Sequence, residues 1–162
     1  MRYAVEATYA TTNLATFKAI VKKYPHMSRE TILRDLVGSQ PGNEGKWFVA
    51  AKDAGLFGLA IELANRSPSD PRTLIRAARV FALERPEFAL AAGMTALRGV
   101  AKRWGYDISG IDVLDAYSAV MAAAGAAGRN ENVVKANVRE LIAAGGAGGD
   151  FAVRVLTRQL TD

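Results

Sequence analysis

Apolar residues recur at spacings of three and four along almost the whole chain, with no sustained alternation of the strand type. That periodicity admits helices and little else. Phe17, Ile20, Val21 and Tyr24 form an i, i+3, i+4, i+7 stripe. Pro25 stops it, because proline lacks a donor and restricts the residue before it. Ser28 is placed to cap a short second helix carrying Ile32, Leu33, Leu36 and Val37. The turn-rich segment Gly38–Gly45 then opens a hairpin, with Trp47, Phe48 and Ala51 on one helix, Gly55 as the breaker, and Leu56, Ala60, Leu63 and Ala64 on the partner.

Further along, Asp70 followed by Pro71 is a strong helix-start signal, and the helix it opens carries Leu74, Ala77, Ala78 and Phe81. Pro86 either ends that helix or sits in the first turn of its successor, Glu87 to Trp104. The successor has two faces: a bulky stripe of Leu90, Met94, Leu97, Ala101 and Trp104, and a small-residue stripe of Ala91, Ala92, Thr95 and Gly99. Such a helix suits a position sandwiched between neighbours. After a connector from Tyr106 to Gly110, Ser109 and Asp112 stand at capping-box spacing, with Asp in place of the usual Glu or Gln. They open a helix carrying Val113, Tyr117, Val120, Met121 and Ala124. Asn130 caps the next, with Val134, Val138, Leu141 and Ile142, and the glycine run Gly145–Gly149 separates it from a last helix starting near Asp150.

The chain thus reads as one all-α domain, residues 1–162, of about eight helices in stacked hairpins, with a flexible point at the glycine run. Laying Gly55–Ala60 over Pro86–Ala91 sets breaker on breaker and Phe57 on Phe88. The match fits a repeat, and it fits an irregular bundle of alanine-rich helices equally well.

Composition narrows the chemistry. There is no cysteine, so disulfides, thiolate nucleophiles and zinc ribbons are ruled out, and no apolar run reaches the length of a membrane span. The start, MRYAVEATYATT, lacks a secretory core, so a cytoplasmic protein is expected and the triplet Asn65-Arg66-Ser67 reads as chance. One histidine, His26, follows Pro25 in a short connector, where a surface or capping role suits it better than catalysis or ligation. The segment ending Gly45-Lys46 is not a phosphate-binding loop: position 40 is Gln, Trp47 follows the lysine, and no strand precedes it. No cofactor or metal site is expected.

The formal net charge is +5. Between Arg66 and Tyr106 the basic residues Arg66, Arg72, Arg76, Arg79, Arg85, Arg98, Lys102 and Arg103 face only Asp70, Glu84 and Glu87, whereas outside that stretch the two signs balance. On a helix Arg72, Arg76 and Arg79 fall at i, i+4 and i+7, opposite the apolar face, and Arg98 and Lys102 lie one turn apart. Leu83 continues the arginine face by one more turn, where an apolar side chain suits a partner contact. A solvated helix face must nevertheless carry some charge, and arginine is a good helix former.

The run AAKDAGLFGLAIELANRSPSDPRTLIRAARVFALERPEFALAAGMTAL, Ala50 to Leu97, resembles tetratricopeptide-type helical hairpins, with small residues at close crossings. The stretch KKYPHMSRETILRDLVGSQPGNEGKWFVAAKDAGLFGLAIELANRSPSDPRTLIRAARVFA is similar to the C-terminal helical region of larger bacterial proteins, which implies a bacterial source and no particular activity. The expectation is a non-enzymatic scaffold that binds a protein partner with an acidic patch through Arg72, Arg76, Arg79, Leu83, Arg98 and Lys102. The alternative is nucleic-acid binding through the same face, although Trp104 and Tyr106 are the only aromatic residues interleaved with its cations. A third reading, an enzyme, rests on Asp112 or Asp115 as acid/base groups.

Overall fold

The computed structural model describes residues 13–104, 108–145 and 151–157, and every regular element among them is helical. Although the sequence reads as one domain, the chain divides between Pro68 and Ser69 into two compact units.

The first unit holds α1 (Asn13–Lys23), α2 (Arg29–Gly38), a 3₁₀ turn (Glu44–Trp47), α3 (Phe48–Asp53) and α4 (Phe57–Arg66). Ser28 caps α2 as its position demands, its hydroxyl accepting from the Thr31 N–H at 3.1 Å. Phe17, Ile20, Ile32, Leu33, Leu36, Trp47, Phe48 and Leu63 fill the core. Gly55 ends α3 in the left-handed region, φ +78°, which a side chain would strain. Around the 3₁₀ turn a polar knot closes: the Gly45 N–H donates to the Ser67 hydroxyl at 2.7 Å, and Arg66 lies 3.9 Å from the Glu44 carboxylate. Backbone N–H groups of Glu44 itself and of Gly42 hold the Glu44 carboxyl below its ordinary value, and Arg66 and Ser67 add to them.

The second unit holds α5 (Pro71–Phe81), α6 (Pro86–Ala101), α7 (Gly110–Ala126), α8 (Glu131–Ala143) and α9 (residues 151–157). Pro86 occupies the first turn of α6, which settles the choice left open above in favour of a helix start. The capping signals at Asp70, Ser109 and Asn130 are all used, and Ser109 with Asp112 forms a complete capping box. The first residue of the glycine run, Gly145, lies against Ala101. The rest of that run, the connector at Tyr106 and the helix start at Asp150 lie outside the described residues.

Helix α6 packs on α5, α7 and α8. Of its bulky stripe, Leu97 and Ala101 are buried while Leu90, Met94 and Trp104 are half-buried, and of its small stripe Ala92, Thr95 and Gly99 are buried. Between the two runs a third, Ala89, Gly93, Ala96 and Val100, which is also buried and which the two-faced reading omits. Its reason is close approach: a Cβ at Gly93 would stand 2.7 Å from Cγ2 of Val120 on α7. The suggested repeat is out of step at its element starts, since α4 begins two residues after Gly55 and α6 begins at Pro86 itself.

Candidate interaction surface

The face picked out by charge is built on α5, and its placement begins with the cap. An Asp70 carboxylate oxygen accepts from the Arg72 N–H at 3.2 Å and the other from the Thr73 hydroxyl at 3.0 Å, while Pro71 supplies the helical φ of the first turn. With the start fixed, Leu74, Ile75, Ala77 and Ala78 turn inward and are buried. At about 100° per residue, Arg72, Arg76, Arg79 and Val80 then fall within an outward arc of about 100°. All four are exposed, Val80 to 66%, and Leu83, in the turn after the helix, is exposed to 88%.

Val80 is a residue the sequence reading passed over. The signal was available, because it lies about 120° from Leu74 around the helix, outside the stripe that includes Ala77, Ala78 and Phe81. Two large apolar side chains thus stand beside two arginines, Arg76 and Arg79. Among the described residues neither arginine makes an ion pair.

Arg72 has a different occupation. Its Nε donates to Oδ1 of Asp112 at 3.2 Å and its Nη2 to Oδ2 at 3.1 Å, a bidentate pair joining the first turns of α5 and α7. Asp112 also accepts from the Ser109 N–H at 2.9 Å. Hydrogen bonding from Arg72 above all, with Ser109 adding to it, holds the Asp112 carboxyl below its ordinary value against the opposing effect of burial. A carboxylate so committed stays ionised and is a helix-capping ligand in this fold. Asp115, one turn further on, is half-buried.

Arg98 and Lys102 stand at the end of α6 away from the α5–α6 turn, roughly 20 Å along the axis from Leu83. The Arg98 guanidinium sits over the Trp104 ring, 5.4 Å from its centroid, and the ring itself lies against Gly99. The chain reaches that position by a left-handed residue, Arg103 at φ +58°, with the Trp104 N–H donating to the Gly99 carbonyl at 2.8 Å. Lys102, the C-cap, is exposed. Arg79, Val80 and Leu83 therefore lie toward the turn end of the hairpin with Arg76 at the middle of α5, while Arg98 and Lys102 lie at the far end of α6.

Among the described residues no helix is long and apolar enough to cross a membrane, and no three or more of His, Cys, Asp and Glu come together as metal ligands. No family model, curated protein or solved structure matches the chain.

Proposed function

We propose that the chain is a non-enzymatic helical scaffold, a stack of tetratricopeptide-like hairpins working in the cytoplasm, that binds an acidic protein partner through the C-terminal half of α5. The observation that carries this reading is the pairing of Val80 and Leu83, both largely exposed, with Arg76 and Arg79 on one face. Apolar anchors ringed by cations suit an acidic amphipathic helix, which covers the apolar pair with its own apolar stripe and meets the arginines with Asp or Glu. The absence of cysteine agrees with a reducing compartment.

The test starts from a partner that co-purifies with the intact chain and is then produced alone, so that affinity is measured between two purified proteins. Arg76→Glu with Arg79→Glu is expected to weaken binding at least about tenfold, and Leu83→Ala by a similar factor. Unchanged affinity in both variants removes the α5 face from the interaction. A mobility-shift titration of DNA and RNA at low and moderate salt separates the nucleic-acid alternative, whose affinity falls steeply with salt. A shift lost in the double arginine variant replaces the protein-partner reading.

A further inference from the structure

A cleft of about 480 Å³ opens between α7 and α8, on a part of the second unit that takes no share in the α5 face. That volume lies within the range of small-molecule sites. Its walls combine an apolar side and a polar side. Met121 and Gly125 of α7 contribute the apolar side, and Gly125 leaves open space where a Cβ would stand. Arg129, from the connection between the helices, contributes the polar side with Glu131 and Lys135 of α8, and Tyr117 lines the cleft from α7.

Lys135 is unusual for its type. Only 9% of it is exposed, whereas lysines are almost never so fully buried unless paired. Its ammonium is held 3.0 Å from Oε1 of Glu131, one turn earlier, and that carboxylate is itself well exposed. The Tyr117 phenol is buried, and burial pushes its pKa up, which keeps it a neutral hydroxyl. Arg129 holds Glu87, a residue outside the cleft, at 2.8 Å. Among the described residues, two cationic side chains therefore line a space whose only lining carboxylate is on a solvent-exposed, rotatable side chain.

We infer that this cleft binds an organic carboxylate with a short apolar or aromatic body. The ligand's carboxylate takes the place of Glu131 on the Lys135 ammonium, within reach of Arg129, and Glu131 swings out to water. The body lies along Met121 and over Gly125. Exchange of one carboxylate for another keeps the Lys135 ammonium paired throughout, so no lone charge is left in the wall. Specificity for the anion follows, because a neutral head group leaves Lys135 to Glu131 and gains only the apolar contact.

The experiment uses the full chain with 4-phenylbutyrate as probe and 4-phenylbutyramide as its neutral control, followed by amide chemical-shift changes. The carboxylate is expected to perturb α7 and α8 in a saturable way and to bind at least about tenfold more tightly than the amide. Lys135→Met keeps the stem and removes the charge, and is expected to abolish that preference. Gly125→Leu adds bulk where a Cβ meets open space and suits a helix better than glycine, so it keeps the fold while blocking the cleft. It is expected to lose both probes. Absence of saturable binding by the carboxylate, equal binding of the amide, or undiminished binding in Gly125→Leu overturns the assignment.

Discussion

Single residues in this chain are committed by the geometry of their neighbours more than by their type. Arg72 belongs by sequence with Arg76 and Arg79, yet its guanidinium is spent on Asp112, whose carboxylate simultaneously closes the cap of α7. Removing Arg72 and Asp112 singly and together is expected to give a coupling of about 1 kcal/mol in urea unfolding, the upper end for exposed pairs because the contact is bidentate. The pH dependence has a defined sign. Asp112 is more acidic folded than unfolded, so its contribution is complete above about pH 5 and is lost as pH falls below the ordinary value of 3.8 toward the folded one. The stability gap between the wild-type chain and Asp112→Asn should accordingly narrow on acidification from pH 5; a gap that widens would contradict the ion pair. Gly93 shows the same dependence on a neighbour. Alanine is the better helix former, yet Gly93→Ala is expected to destabilise by about 1–3 kcal/mol, because its methyl meets Val120 at 2.7 Å.

Helices were legible in the sequence where their chemistry is local. Ser28, Asp70, Ser109 and Asn130 all cap as their positions require, since a cap involves only a side chain and the next few N–H groups. Asn130→Ala is expected to cost about 1 kcal/mol in thermal or urea unfolding, because its Oδ1 accepts from both Asn132 and Val133. Burial was legible where a helix meets the core along one stripe, as α5 does. It failed for α6, where the stripe of Ala89, Gly93, Ala96 and Val100 is also buried. Periodicity reports one apolar face at a time, and on a helix packed against three others the outward row of Glu87, Ala91, Met94 and Arg98 is too narrow and too apolar to set the phase. The candidate surface divides likewise: the exposure of Arg76, Arg79 and Leu83 follows from helical spacing, whereas the pairing of Arg72 with Asp112, 40 positions away, is tertiary.

At the scale of the molecule, the contacts separate residues up to Pro68 from those that follow, a division that no long linker announces in the sequence. SPSDP, which the periodicity treats as an ordinary helix stop and restart, spans that boundary. Seven of the eight basic residues in the stretch from Arg66 to Tyr106, starting with Arg72, fall after it, and so does the cleft beside Lys135. The second unit consequently carries both an anion-seeking surface and an anion-seeking recess, on different helices.

Leu83 projects almost fully from a chain that contains no cysteine. A cysteine at Glu84, the exposed neighbour in the same turn, is the sole thiol in the polypeptide and leaves the Leu83 side chain in place. A photoactivatable maleimide attached to it tags only a molecule that comes within the reach of one short tether, and the α5 face thereby becomes addressable without altering either arginine.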